Sequence, residues 1–218
     1  MNEDILKMKK LQPEGTCPVM VAQLPKQIIK EIDVWVRECR KIKNGPLASL
    51  KVHENAAYGY QGIGKAHNSY QCSVPGELVR NSYWLALAMR LTAKYWGMGT
   101  HHRFFGLREC WGHFDGYDMW ANFAYKGDRN PTHHHTGFLS GVIYHQNHGH
   151  PTYFDDYNCA YEGKNGTMVL FPASVRHHVE HQIANKERIT FAFNIVRTEH
   201  RIDDPHPSLP NIDDDTEG

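Results

Sequence analysis

From residue 101 onward, the chain consists of short apolar runs separated by Gly, Asn, Asp and Pro. This texture constrains the fold most, because such runs between turn-forming residues are typical of strands in an antiparallel sandwich or jelly roll. Strands are expected at 103–111, 119–125, 139–145, 152–154, 167–171 and 189–196. With 218 residues, the chain is long enough to bury a core. The sequence therefore predicts a mainly β fold with supporting α-helices.

Two helices are expected before these strands. Residues 25–43 have an amphipathic pattern, with one face formed by Ile28, Ile32, Trp35, Val36 and Cys39. Asn44-Gly45-Pro46 should end this helix. A second helix is expected over about 75–96, with enough apolar bulk to be largely buried.

The chain shows neither an internal repeat nor a clear linker. We therefore expect one domain over 1–201, with helical support at about 20–97 and a β core at about 101–198. The tail 202–218 is rich in Pro and Asp and nearly lacks apolar residues, which predicts disorder.

Composition narrows the classes of function. The chain has 24 basic and 24 acidic side chains. This balance gives no excess of positive charge that would indicate nucleic-acid binding. The sequence has no apolar run near 18 residues and no signal-peptide pattern, so a cytoplasmic protein without a membrane span is expected. The five cysteines form no CxxC pair, and reduced thiols are expected.

Nine of the sixteen histidines lie in the segment 133–181, and this clustering indicates metal or proton chemistry. Because side chains alternate faces along a strand, His133 and His135 should point the same way and His134 the opposite way. A catalytic metal needs a third ligand from a distant strand, and His177 is suitably placed. Imidazole binds Fe, Zn, Cu and Ni alike, so residue type does not name the metal.

The segment 119–196 resembles the 2-oxoglutarate- and Fe(II)-dependent oxygenases, most closely the "Putative 2OG-Fe(II) oxygenase" family near the prolyl hydroxylases. That family has a His pair, an apolar strand ending in Tyr, a Gly-led strand ending in Phe-Pro, a distal His followed by Val, and Arg-x-Ser/Thr. The matching segments here are His133-His134-His135, 140–144, 166–172, His177-His178-Val179 and Arg188-Ile189-Thr190. The resemblance implies a double-stranded β-helix of the jelly-roll or cupin-like type, with Fe(II), 2-oxoglutarate and O₂.

The resemblance also implies a cosubstrate site. Arg188 would hold the far carboxylate of 2-oxoglutarate, because a guanidinium offers a bidentate fork that suits a carboxylate better than lysine does. Thr190 lies two residues on, hence on the same strand face, and would add a hydroxyl. Tyr144 would offer a phenol from the neighbouring strand, and Asn122 could hydrogen-bond the keto acid or the substrate. The polar loop 145–150 is expected to be exposed.

The metal ligands depart from the common pattern at one position. His133 and His177 would be two of them, but His135 stands where the family usually has a carboxylate. Either three imidazoles hold the iron, or a carboxylate comes from elsewhere, with Asp155 and Asp156 the nearest candidates.

A rival pair has the familiar His-x-Asp form. His113-Phe114-Asp115 lies 64 residues before His177 (177 minus 113), but no Tyr-ended strand follows it closely. We therefore favour His133 and His135 as the pair, and Asp115 stays an alternative carboxylate ligand.

Three functions are consistent with these motifs. The first is an Fe(II)- and 2-oxoglutarate-dependent dioxygenase, in particular a hydroxylase, acting on a small molecule, an amino acid or a residue of a protein. The second is a three-histidine, cupin-type dioxygenase that needs no keto acid. The third is a non-catalytic binding protein on the same fold. A homodimer is compatible with each of them.

Overall fold

The computed structural model describes residues 8–11, 17–44, 69–75, 78, 104–105, 119–135 and 139–197. Several expectations lie outside these residues: the second helix apart from Pro75 and Leu78, most of the run 103–111, the pair His113 and Asp115, and the tail 202–218. Those expectations and the single-domain assignment stay predictions.

Within the described residues, twelve strands form two sheets, and one long helix packs against the larger sheet. In chain order the elements are β1 (Met8–Lys10), β2 (Met20–Gln23), α1 (Lys26–Lys43), β3 (Tyr70–Ser73), β4 (Phe104–Phe105), β5 (Met119–Ala124), β6 (Asn130–His133), β7 (Leu139–Gln146), β8 (Thr152–Phe154), β9 (Cys159–Tyr161), β10 (Thr167–Pro172), β11 (His177–Val179) and β12 (Arg188–Arg197). A short 3₁₀ turn, Asp155–Tyr157, separates β8 from β9.

The larger sheet has the strand order β1-β2-β10-β7-β12-β5-β3, and β4 pairs with the end of β12. The smaller sheet has the order β6-β11-β8-β9. All of these pairings are antiparallel. Among the residues that the structure describes, a mainly β, jelly-roll architecture confirms the predicted fold class.

Alternation along the strands separates a core face from a cavity face. On β12, Ile189 and Phe191 are fully buried in the main apolar cluster, and Trp35 of α1 meets the Phe191 ring edge-on at 5.8 Å. Arg188 and Thr190, which alternate with them along the strand, line a cavity on the opposite face of the sheet. Helix α1 therefore covers one side of the larger sheet and leaves the other side available for a site.

Helix α1 has the apolar face that the sequence predicts. Its buried residues are Ile28, Ile32, Trp35, Val36 and Cys39. The helix begins at Lys26 because Pro25 has an extended backbone at the N-cap, with φ −62° and ψ 150°. It ends at Lys43, with Asn44 as the C-cap. Among the described residues, no helix is long and apolar enough to cross a membrane.

A second apolar cluster lies beside the smaller sheet, and Tyr144, Phe154 and Phe171 are its largest fully buried members. Gly163 makes room for one of them. A Cβ atom added to Gly163 would lie 2.1 Å from Cδ1 of Tyr144, whose ring is fully buried. Close approach to a fixed aromatic ring thus accounts for the glycine.

Replacing Gly163 with alanine is expected to lower the free energy of unfolding by about 1–3 kcal/mol, because the Tyr144 ring has to move in a packed core. Urea denaturation measures the change. Lys164→Ala, at the exposed adjacent position, is the control and should stay within about 0.5 kcal/mol of the unchanged protein. Equal stabilities for the two variants would contradict this packing role.

Candidate metal and anion site

The smaller sheet brings two distant histidines together. His133 at the end of β6 and His177 at the start of β11 are direct partners across the two strands, and their ring centroids lie 4.2 Å apart. The His135 ring lies 5.0 Å from the first ring and 5.1 Å from the second. One ring nitrogen from each of the three lies within 4.8 Å of the others. Small side-chain rotations would let all three reach one ion at bond lengths of about 2.0–2.1 Å.

Two backbone carbonyls fix the tautomers of the paired rings. His133 Nδ1 lies 2.7 Å from the Pro131 carbonyl, and His177 Nδ1 lies 2.9 Å from the Val175 carbonyl. A carbonyl only accepts hydrogen bonds, so each Nδ1 carries the proton and donates it. In the neutral ring the lone pair is then on Nε2, the state that a metal ligand requires.

Burial keeps these imidazoles neutral. Desolvation is the largest cause of a lowered pKa at both His133 and His177, and the pKa of His177 falls to about 3. His133, as a nearby like charge, further lowers the pKa of His177. A proton therefore does not compete with a cation for these rings near neutral pH.

The three-histidine group contains no carboxylate, and it is the one such group that the described residues form. The Asp155 carboxylate is engaged elsewhere: it accepts hydrogen bonds from His178 Nδ1 at 2.7 Å and from Thr132 Oγ1 at 3.0 Å. Asp156 accepts from the backbone and side chain of Arg176. Neither carboxylate is a member of the group.

Arg188 is a buried cation at the other end of the same cavity. Its side chain is nearly inaccessible, and burial lowers its pKa to about 10, so it stays charged near neutral pH. The hydrogen bond described for its side chain runs from Nε to Asn147 Oδ1, at 2.6 Å. No carboxylate of the described residues lies within ion-pair distance of it. A buried charge without a counterion is costly, so the arrangement favours an anionic ligand.

Glu187 does not provide the missing counterion, although it precedes Arg188 in the chain. It forms ion pairs with Arg40 at 2.7 Å and Lys43 at 2.9 Å, and it accepts a hydrogen bond from the Tyr125 hydroxyl. These partners belong to α1 and to the segment after β5. Glu187, the residue just before β12, thus points toward the helix, whereas Arg188 points toward the cavity.

Of the other predicted cosubstrate residues, Thr190 and Asn122 line the same cavity as Arg188, whereas Tyr144 does not. Thr190 and Asn122 are Cα partners on β12 and β5, and Asn122 Nδ2 donates to Thr190 Oγ1 at 3.4 Å. Both line the cavity. Tyr144 is fully buried and is not among the lining residues; its hydroxyl donates to Thr152 Oγ1 at 2.8 Å, and Thr152 does line the cavity.

One cavity therefore joins both ends of the site. Its lining includes His133, His135 and His177 at one end and Arg188 at the other. Trp120 lies beside the metal end, with its ring 5.7 Å from that of His135.

Sequence reasoning missed Asn147, the partner of Arg188. The loop 145–150 was expected to be exposed, but Asn147 and His150 are buried in the structure. Asn147 Nδ2 donates to the His150 carbonyl at 2.5 Å, and its backbone N–H donates to Asn165 Oδ1. The expectation was wrong at these two positions because the loop folds back over the cation and satisfies its polar groups internally.

Comparison with known proteins confirms the family resemblance over part of the chain. Residues 148–194 match the family described as "Putative 2OG-Fe(II) oxygenase". This segment contains His177 and Arg188 but not His133 or His135. No curated protein sequence matches the chain.

Two solved structures of low sequence identity are similar to this chain. A prolyl-4-hydroxylase from Pseudomonas putida is 15% identical, with 84% of this chain and 95% of that chain covered and a TM-score of 0.53. The viral collagen prolyl hydroxylase of Paramecium Bursaria Chlorella virus-1, in a 2OG complex, is also 15% identical, with 82% and 97% covered and a TM-score of 0.48. At this identity the first of these confirms the fold alone.

Proposed function

We propose that this protein is an Fe(II)- and 2-oxoglutarate-dependent dioxygenase that hydroxylates its substrate. One observation carries the proposal: a single cavity holds three imidazoles at one end and a buried guanidinium without an acidic partner among the described residues at the other. The imidazoles would bind a cation and the guanidinium would bind a carboxylate, so a metal-chelating dicarboxylate matches the chemistry of both ends.

His133, His135 and His177 would hold the metal. Imidazole suits Fe(II), and a three-ligand set leaves coordination positions for other groups. Bound Fe(II) would supply the redox chemistry that O₂ activation needs. Imidazole ligands add no negative charge, so the metal-binding carboxylate of the keto acid would offset one positive charge of the ion, and its far carboxylate would offset the charge of Arg188.

Arg188 would fix the orientation of 2-oxoglutarate. A bidentate guanidinium–carboxylate pair sets both position and angle, and the dry surroundings make it stronger than it would be in water. Thr190 and Asn122 would add polar contacts on the same wall. Apolar side chains such as Val142 and Phe171 also line the cavity and would exclude water from the bound keto acid.

The overall reaction balances with these components. Substrate R–H, 2-oxoglutarate and O₂ give R–OH, succinate and CO₂, with one oxygen atom entering each of the hydroxylated product and succinate. The substrate would approach the metal end, where Trp120 forms part of the wall. A cytoplasmic location, a homodimer and the choice between a small-molecule and a protein substrate are predictions from the sequence.

Calorimetric titration of 2-oxoglutarate into anaerobic, Fe(II)-loaded protein tests the proposal. We expect metal-dependent binding of one keto acid per chain, followed by succinate formation when O₂ is admitted, slow without the true substrate. Succinate, which lacks the keto group that chelates a metal, is the control ligand and should bind much more weakly. Absence of metal-dependent keto-acid binding would refute the proposal.

The three-histidine set also favours a second candidate, a dioxygenase that uses no keto acid. Such a protein would bind the same cation, because the described ligand group contains no carboxylate. It would leave Arg188 without a counterion from the described residues. The titration above separates the two candidates, since only the first needs 2-oxoglutarate to bind.

Asn147 is expected to position Arg188 for the cosubstrate. Asn147→Ala removes the acceptor of the Arg188 Nε hydrogen and should raise the KM for 2-oxoglutarate roughly tenfold, the cost of one charged hydrogen bond. Asn147→Asp should weaken binding further, because its carboxylate would pair with Arg188 and compete with the cosubstrate. Steady-state succinate formation measures both. A smaller defect in the aspartate variant than in the alanine variant would contradict this role.

A further inference from the structure

Two thiols from distant parts of the chain meet in the second apolar cluster. Cys17 Sγ lies 2.9 Å from Cys159 Sγ, across 142 positions of sequence. Cys17 lies shortly before β2, the second strand from one edge of the larger sheet, and Cys159 opens β9 at the edge of the smaller sheet. Both residues are buried, and among the described residues each thiol has the other as its hydrogen-bond partner.

The distance between the two sulfur atoms is shorter than an ordinary nonbonded packing distance. Nonbonded carbon atoms pack best at roughly 3.5–4.0 Å, and sulfur is larger than carbon. A disulfide bond would bring the sulfurs to about 2.05 Å, less than 1 Å closer than they are now. Two reduced thiols are therefore crowded at this position, whereas a covalent bond relieves the crowding.

We propose that Cys17 and Cys159 form a reversible disulfide that joins the two sheets of the fold. With glutathione disulfide as oxidant, one thiolate attacks it and releases one glutathione, giving a mixed disulfide. The second thiolate then attacks the protein sulfur and releases a second glutathione. The two cysteines lose two protons and two electrons, and one glutathione disulfide becomes two glutathiones.

The rate of this exchange should be low in the folded protein. Burial, followed by contact with Cys17, raises the pKa of the Cys159 thiol to about 12, so little thiolate is present near neutral pH. The bond would then persist once made and would change slowly with the redox state of the surroundings. The linked cluster also supports the metal end, because the Phe171 ring lies 4.8 Å from that of His177.

Peptide mapping of the full chain tests the proposal. The protein is equilibrated in glutathione buffers of increasing oxidised fraction, once from the reduced and once from the oxidised side, until both starting points agree. Acid precipitation then quenches the exchange, and the protein is redissolved in denaturant at neutral pH with N-ethylmaleimide and digested for mass spectrometry. We expect a linked peptide pair containing Cys17 and Cys159 to accumulate, with Cys39 and Cys72 still labelled. Full labelling of Cys17 and Cys159, or mixed disulfides with glutathione alone, would overturn the proposal.

Matched variants test whether the linked peptide depends on this pair or on the other buried thiols. Cys17→Ala and Cys159→Ala should each abolish the linked peptide, whereas Cys72→Ala should retain it. If a variant does not fold, the map of the unchanged protein still decides the pairing. Closing so long a loop should raise the melting temperature by roughly 5 °C or more in the oxidised form. An unchanged or lower melting temperature on oxidation would show that the link is not native to this fold and would also overturn the proposal.

Discussion

Arg188→Met is expected to weaken 2-oxoglutarate binding roughly 100- to 1000-fold, which corresponds to about 3–4 kcal/mol for loss of one partner of a buried ion pair. The effect is large because the described residues offer Arg188 no acidic partner, so its charge is available to the ligand. Methionine keeps an unbranched apolar stem and removes the charge. Calorimetry on the metal-loaded protein measures the change.

Two further variants make the Arg188 result specific. Arg188→Lys keeps the charge but loses the fork, and it should recover only part of the affinity. Arg176→Met removes an exposed arginine that pairs with Asp156, and it should bind 2-oxoglutarate normally. Equal affinities for the Arg188→Met and Arg176→Met variants would refute the assignment of the guanidinium as the carboxylate site.

His177→Ala is expected to reduce the affinity for a divalent metal at least 100-fold, more than the loss of a supporting hydrogen bond around a metal would do. The ring is buried, neutral and directly opposite His133 across two strands. Titration with Co(II), whose visible spectrum reports its ligands, measures affinity and geometry together. 2-Oxoglutarate binding should be lost together with the metal. This result would also exclude a non-catalytic binding protein, because such a protein would bind its ligand without a metal.

The control for this experiment is His134→Ala. His134 is exposed and lies between two members of the metal group in sequence, so the variant removes an imidazole from the same segment that is not a member of the group. Its metal affinity should be unchanged. Comparable losses in the two variants would mean that metal binding depends on the histidine-rich surface rather than on the buried group.

The strands and the faces of β5 and β12 could be predicted from the sequence because they depend on local periodicity. Alternation placed Asn122 on the cavity face of β5 and Arg188 and Thr190 on that of β12, as the structure has them. The five strand predictions that fall fully within the described residues agree with the structure to within one or two residues.

What the sequence could not predict depends on how distant segments meet. β6 ends at His133, so strand alternation alone does not bring His135 to the site; its backbone N–H donates to the Ala173 carbonyl at 2.9 Å and holds it there. Asn147 has no periodic signal because it lies in an irregular loop. The direct pairing of His133 with His177 is a register between strands that are 44 residues apart (177 minus 133), and no local pattern sets it.

The proposed function requires that the histidine group and Arg188 bind one ligand in the same cavity. A crystal structure of the protein with Mn(II) and 2-oxoglutarate, prepared without O₂, tests this requirement most directly. We expect one ion bound by Nε2 of His133 and His177 and by His135, with the far carboxylate of the keto acid against the guanidinium of Arg188. An ion bound away from these imidazoles, or a keto acid whose far carboxylate does not contact Arg188, would contradict the proposed function.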